Sequence, residues 1–199
     1  MSEQINKKKS SFPLIMLLLL FLLPVTASWY LVFFTDYARN EEGAEHGSLI
    51  KPARQLEDVP LMRVSERSVE PTSLYGEWSL LFFIVGACEE SCAETLYRIR
   101  QIRLATGKEM HRIQRVAIIN EGDGSVFSDY LSKNFPGQHY AHQDDLSENF
   151  INQFQDQNVN DKMAVFLIDP RGFLMMRYSG DAEPSGIIRD LSRLLRIST

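Results

Sequence analysis

No charged residue occurs between Phe12 and Phe34. The run Phe-Pro-Leu-Ile-Met-Leu-Leu-Leu-Leu-Phe-Leu-Leu-Pro-Val-Thr-Ala-Ser-Trp-Tyr-Leu-Val-Phe-Phe is long enough to cross a hydrocarbon core of about 30 Å as one helix. Lys7, Lys8 and Lys9 lie just before it, Asp36 follows it, and Arg39 is the first basic residue beyond. Basic flanks stay on the cytoplasmic side. The pattern predicts a cytoplasmic tail over 1–11, a transmembrane helix over 12–34 and an exported remainder. Trp29 and Tyr30 suit the outer interface. A cleaved signal peptide is the competing reading, because Val25-Thr-Ala27 has the small residues of a cleavage site. Apolar character resumes from Trp29 to Phe34, which a signal peptide does not need, and this favours the anchor. Either reading exports the domain; in a two-membrane bacterium the expected location is the inner membrane, single pass, with the C-terminal domain in the periplasm.

The rest of the chain bounds its partners. Thr35 to Gln55 is polar, with Glu41, Glu42, Gly43, Glu45 and Gly47, and reads as a linker. Residues 56–199 then make about one ordinary domain, long enough to bury a core without disulfide staples. Net charge is −5 for the whole chain; Lys7, Lys8 and Lys9 against Glu3 put +2 in the first ten residues, so the remainder carries −7. An acidic domain fits a phosphate backbone poorly, and no nucleic-acid partner is expected.

Hydrophobic runs set the expected fold. Trp78 to Val85 is continuously apolar, as in a strand buried on both faces. Ser91 to Thr106 reads as a helix with Leu96, Ile99 and Ile102 on one side and Arg98, Arg100 and Arg103 over the rest. Those arginines are read first as a solvated face and second as a partner surface. Arg115–Ile119 is a second buried strand, Ser125–Phe135 a helix and Met163–Ile168 a third strand. Asp169-Pro-Arg-Gly172 is a turn, Phe173–Tyr178 its hairpin partner, and Pro184–Arg196 a closing amphipathic helix. Strand, helix, strand, helix, strand, strand, helix predicts an α/β thioredoxin-like domain with a mixed central sheet.

The two cysteines, Cys88 and Cys92, stand in Gly86-Ala-Cys-Glu-Glu-Ser-Cys-Ala93, where the first buried strand hands over to a helix. Helix-start N–H groups favour a thiolate; Glu89, Glu90 and Glu94 oppose one. Three uses remain open. A structural disulfide would close a loop of about five residues, stabilising by roughly 2 kcal/mol. The pair can instead cycle in thiol–disulfide exchange, or hold a soft ion such as Cu(I). A tight copper site wants a third ligand. His46 and His111 read as solvated, His139 and His142 lie in a loop or short strand, and Met163, Met175 and Met176 read first as packing residues.

Leu80-Leu-Phe-Phe-Ile-Val-Gly-Ala-Cys-Glu-Glu-Ser-Cys92 resembles the strand, loop and helix of the SCO/SenC proteins, and Val165-Phe-Leu-Ile-Asp-Pro-Arg-Gly172 resembles their later strand and turn. Those are membrane-anchored thioredoxin-fold proteins that help deliver copper to cytochrome c oxidase. Leu96–Lys108, Phe173–Tyr178 and Ile188–Leu195 look like a small bacterial SCO-like family encoded among oxidase assembly genes. The resemblance covers most of Leu56 to Ile197. It implies an accessory factor in cytochrome c oxidase biogenesis, with an oxidase subunit or another copper-site assembly factor as partner. Cys88 would attack, Cys92 would resolve, and both are candidate copper ligands; thiol–disulfide exchange and weak copper transfer both remain open. The sequence departs from the family at the third ligand: counting back from Asp169-Pro170, the histidine position falls on Asp161. Ala93 stands where a proline often follows the second cysteine, and no proline precedes the third strand as in thioredoxin-like reductases. A non-catalytic membrane scaffold with a degenerate site and a general periplasmic thiol oxidoreductase are the alternatives. A reporter fused after Thr199 is expected to be active only in the exported compartment; cytoplasmic activity would reverse the orientation, and a mature N-terminus just after Ala27 would remove the anchor.

Overall fold

The computed structural model describes residues 12–34, 46–65, 68–84, 88, 90–120, 124–157, 161 and 164–198. They fall into two compact units, Met1–Ala44 and Glu45–Thr199. In the first, Phe12–Phe34 forms one 23-residue helix, α1. At 1.5 Å per residue it is about 35 Å long. Pro24 lies inside it and removes one helical N–H. The Thr26 hydroxyl, just beyond, donates back to the carbonyls of Leu22 and Leu23 at 2.9 and 3.1 Å. The side chains described, those of Phe12 and residues 16–30, are exposed. Over the described residues no helix meets the length and hydropathy of a membrane span.

The second unit is built on one eight-stranded sheet. In chain order its strands are β1 (Ser48–Gln55), β2 (Pro60–Val64), β3 (Val69–Ser73), β4 (Trp78–Ile84), β5 (Ile113–Ile119), β6 (His139–His142), β7 (Val165–Ile168) and β8 (Phe173–Tyr178). Their spatial order is β1-β8-β7-β4-β5-β6-β2-β3. β4, β5 and β6 run parallel, while β7 and β8 return antiparallel. This is the mixed thioredoxin-like sheet expected from the element order.

Every residue of β4, β5 and β7 is buried. Period-two alternation sends their side chains into two cores. On one face Leu80, Phe82, Ala117 and Leu167 meet Leu96, Ile99 and Ile102 of helix α2 (Glu90–Ala105), Leu131 of helix α3 (Gly124–Asn134), and Ile187, Leu191 and Leu195 of a C-terminal helix (Pro184–Ile197). On the other, Leu81, Phe83, Val116 and Phe166 meet Phe150 and Phe154 at and just after the short helix α4 (Glu148–Asn152). The C-terminal helix is α5. Phe83, Phe154 and Phe166 pack edge-to-face, with centroids 5.2 to 5.9 Å apart, the arrangement their ring quadrupoles favour. The turn between β7 and β8 closes on Asp169, whose Oδ1 accepts from the N–H groups of Arg171 and Phe173 at 3.0 and 2.7 Å. Gly172 there has φ +84°, and a Cβ would come within 2.3 Å of the Tyr75 ring.

The structure corrects the linker. Ser48–Gln55, read as part of a linker over 35–55, is an edge strand paired antiparallel with β8, from Ser48 opposite Arg177 to Gln55 opposite Phe173. Only Ile50 of that strand is buried, so the strand carries almost no hydrophobic signal. Its position comes from the open backbone edge of β8. His46, read as solvated, also belongs here: its N–H donates to the buried Asp190 carboxylate at 2.8 Å, and its Nδ1 lies 3.3 Å from the other oxygen. The hairpin of β2 and β3 extends the sheet beyond β6 and likewise was not visible as strands. Residues 35–45, Val85 at the end of the first strand and Met163 at the start of the third lie outside the described residues.

Candidate functional site

Strand β4 delivers the chain to Cys88, and Cys92 is the third residue of α2. The two are joined in a disulfide with Cα atoms 5.1 Å apart. Their exposures differ. Cys92 is 9 % exposed and belongs to the core cluster with Ile84 and Leu96; Cys88 is half-buried and packs against it. Position within the helix matters as well. The first four N–H groups of a helix have no partner inside it, so a negative charge released on Cys92 would meet oriented N–H dipoles. Glu90 and Glu94 are exposed, and the charge of Glu94 acts on Arg98 of the same helix. Glu89 lies outside the described residues.

Asp161, which the sequence reading places where a third ligand would be expected, is already committed. Its Oδ2 accepts from the Arg177 guanidinium at 2.8 Å and from the Gly180 N–H at 3.1 Å. Its own carbonyl accepts from the Ala164 N–H at 2.9 Å, just before β7. Arg98 joins from α2, donating to the Gly180 carbonyl. Burial lowers the pKa of Arg98, against the pull of Glu94 and Asp161. The half-buried Asp161–Arg177 pair therefore ties the segment before β7 to the end of β8. Sequence reading located Asp161 but missed Arg177 and Gly180. Gly180 directly follows β8 by two residues, and Arg177 is in an alternating strand, where a partly covered arginine looks like any solvent-facing residue.

The histidines lie elsewhere. His111 is exposed, with Nδ1 2.8 Å from the Lys108 carbonyl. His139, expected in a loop or short strand, is buried in β6, where its Nδ1 lies 2.6 Å from Gln114 Oε1. That oxygen can only accept, so Nδ1 carries the proton. Burial first, then the charges of Arg63, Arg115 and Arg103, push the His139 imidazole down to about 4. His142 ends β6 with its ring edge on Tyr140, centroids 5.8 Å apart. Register aligns it with Ile119, which in turn aligns with Ile84. His142 is thus two strands from the end of β4, roughly 10 Å by strand spacing. Met176 is buried and Met175 partly buried, both in the core facing α2, as packing residues should be. Among the described residues no group of three histidine, cysteine or acidic side chains is placed to hold a metal ion. Cys88 and Cys92 offer soft donors once their bond is reduced.

A half-exposed cysteine bonded to a buried one, at the start of the helix that follows the central strand of a mixed sheet, defines a thioredoxin-like domain. The family described as "Transmembrane-like, thioredoxin-like, C-terminal domain" matches residues 78–198, more than half of the chain, and the chain belongs to that family. No curated protein matches it. Among solved structures it is similar to yeast Sco1 with copper bound, at 16% identity and TM-score 0.54, covering 72% of this chain and 94% of that one. Arabidopsis thaliana ScoI with copper bound matches at 12% identity and TM-score 0.53, over 72% of this chain and 99% of that one. BsSco, described by its disulfide switch and as a member of the Sco family of cytochrome c oxidase assembly proteins, matches at 18% identity and TM-score 0.51, over 74% and 98%. The domain has the SCO-like thioredoxin fold.

The geometry makes a direct prediction about the pair. Equilibrated in glutathione mixtures and then alkylated, Cys88 and Cys92 are expected to gain or lose reactivity together, with a midpoint inside the glutathione range. The reduced domain should stay folded, because so short a loop contributes only roughly 2 kcal/mol. Unfolding on reduction would make the bond structural.

Proposed function

We propose that this chain is a membrane-anchored accessory factor in cytochrome c oxidase biogenesis, acting by thiol–disulfide exchange through Cys88 and Cys92 on a copper-site partner. The observation that carries the reading is the asymmetry of the pair: Cys88 half-exposed, Cys92 buried at a helix start. In the reduced form the Cys88 thiolate attacks a partner disulfide. One sulfur–sulfur bond forms, one breaks, and the partner's second sulfur leaves as a thiolate. Cys92 then attacks Cys88 and releases the partner's first sulfur, so the partner gains two electrons and the pair becomes the disulfide seen here. An exported dithiol reductant must return it to the reduced state. The helix start and the apolar packing suit Cys92 to the resolving role, since it is sheltered from outside attack.

Helix α1 serves as the anchor in this account. Its length matches a bilayer core and its sequence carries no charge, and the lysines before it set the domain on the periplasmic side of a bacterial inner membrane.

Copper enters as cargo. Similar structures solved with copper bound, and one described as a member of a family of cytochrome c oxidase assembly proteins, support the oxidase copper site as the destination. In this chain a reduced pair offers two sulfur donors. The third donor is not supplied by Asp161, whose carboxylate is hard and engaged by Arg177 and Gly180. Copper held by the pair would be weakly held, and exchange of thiols is the stronger use of the site.

Complementation of a deletion strain separates the readings. Oxidase assembly should fail with Cys88→Ser and with the Cys88→Ser, Cys92→Ser double variant, and should persist with Asp161→Asn, which keeps an acceptor for Arg177. Competition with a Cu(I) chelator should show binding lost in the double variant and unchanged in Asp161→Asn. Full assembly with both cysteines replaced would support a scaffold, and rescue of unrelated disulfide substrates would support a general thiol oxidoreductase.

A further inference from the structure

Helix α2 ends at Ala105, and Gly107 turns the chain back with φ +62°, a conformation that residues with a Cβ rarely adopt. The residues from Gly107 to Arg112 then form a 3₁₀ turn. Its period of three puts Glu109 and Arg112 on one face, where Arg112 Nη1 donates to Glu109 Oε2 at 3.1 Å. The same guanidinium reaches the end of α5. Its Nη1 donates to the Leu195 carbonyl at 2.9 Å, and its Nη2 to the Ser198 carbonyl and hydroxyl at 2.6 and 2.9 Å. The last carbonyls of a helix have no partner inside it, so Arg112 closes α5 and holds the turn against it.

Between the turn and the helix lies a cavity of about 340 Å³, at the small end of ligand sites, which start at roughly 300 Å³. Arg112, Glu109 and the buried Leu195 line it. Thr106 and Lys108 line it from the side of the turn, Ser192 and Arg196 from the side of α5. Ser192 and Arg196 are four residues apart on one helix and share a face. Charge restricts what can fill this space. Lys108, Arg112 and Arg196 against Glu109 make +2, in a chain that carries −7 beyond its first ten residues. Glu109 is engaged by Arg112, while Lys108 Nζ is 3.9 Å from its other oxygen and is 92 % exposed. Arg196 is exposed on the opposite wall. The hydroxyls restrict it further. Thr106 Oγ1 donates to the Arg103 carbonyl at 2.6 Å, and Ser192 Oγ to the Ile188 carbonyl at 2.7 Å. Each already gives its only hydrogen, so towards a ligand each can only accept. Inorganic phosphate, mostly acceptor, suits the cations and not these hydroxyls. A molecule with an oxyanion at one end and hydroxyl groups at the other suits both.

We propose that this cavity binds a small polyol phosphate, its oxyanion between Lys108 and Arg196 and its hydroxyls against Thr106 and Ser192. Arg112, whose Nη hydrogens are all engaged, contributes fixed positive charge. The source is either a free polyol phosphate or the glycerol phosphate headgroup of a lipid. The site is independent of the redox reading: Cys92 is the third residue of α2 and Thr106 follows its last, a separation of roughly 20 Å along the helix.

The test is a calorimetric titration of the full chain, in neutral detergent micelles at constant ionic strength, with glycerol 3-phosphate. Inorganic phosphate and glycerol are separate titrants. One glycerol 3-phosphate per chain is expected, bound about threefold or more tighter than either, because it alone makes both sets of contacts. Lys108→Gln should weaken it about threefold and Arg196→Glu about tenfold or more, the first removing one exposed charge contact and the second reversing one. Ser192→Met fills the cavity at unchanged charge and should abolish binding; thermal unfolding shows whether each variant is folded, and the two charge variants decide if this one is not. Displacement by dihexanoyl phosphatidylglycerol assigns the lipid headgroup, and undiminished binding in its presence assigns the free compound; either outcome supports the site. Inorganic phosphate bound as tightly as glycerol 3-phosphate, binding indifferent to Arg196→Glu, or no saturable binding would each overturn it.

Discussion

Strand β4 is paired on both edges and buried on both faces, and the placement of the cysteine pair depends on it. With β5 parallel along all seven residues of one edge and β7 antiparallel against Ser79–Leu81 on the other, much of its backbone is paired within the sheet, and all seven of its side chains are buried. Removing one large side chain from such a layer costs about 2 to 5 kcal/mol, so the strand has little freedom to shift. Its C-terminal end is therefore a fixed point from which Cys88 leaves the sheet. Helix α2 packs back on the same strand through Leu96, Ile99 and Ile102, which fixes its first turn and with it Cys92.

The same rigidity explains what surrounds the pair. The segment before β7 and the end of β8 are joined through Asp161, Arg177 and Gly180, with Arg98 reaching across from α2. A carboxylate in that network cannot turn to a metal without leaving a half-buried guanidinium and an N–H unpaired, and the cost of an orphaned buried charge exceeds what a hard oxygen gains from a soft ion. Asp161 is thus held by the fold itself.

How much of this was legible in the sequence follows from where the signal is. β4, β5 and β7 are continuous apolar runs, and α2 and α5 are periodic, so the central sheet and both main helices read directly. β1 did not, because seven of its eight residues are exposed or partly so and its pairing is decided by a distant edge. β2, β3 and β6 are short, and two of them extend the sheet past the part where burial is two-sided. Cys88 and Cys92 were visible from their junction of strand and helix. The unequal exposure of the two was not, since it depends on which wall of the core each sulfur meets. His46 shows the same limit: it looked like a surface residue until folding brought the Asp190 carboxylate to it.

The account turns on Cys88 forming a transient bond with a specific partner. Replacing Cys92 with serine removes the resolving thiol and should leave that bond in place. Purified from membranes under acid quench, Cys92→Ser is predicted to carry one predominant disulfide-linked protein, joined through Cys88 and released by reductant, that contributes cysteines to an oxidase copper site or to its assembly. A Cys92→Ser chain that is folded and abundant yet carries no such adduct, or that carries many unrelated proteins in similar amounts, would contradict it.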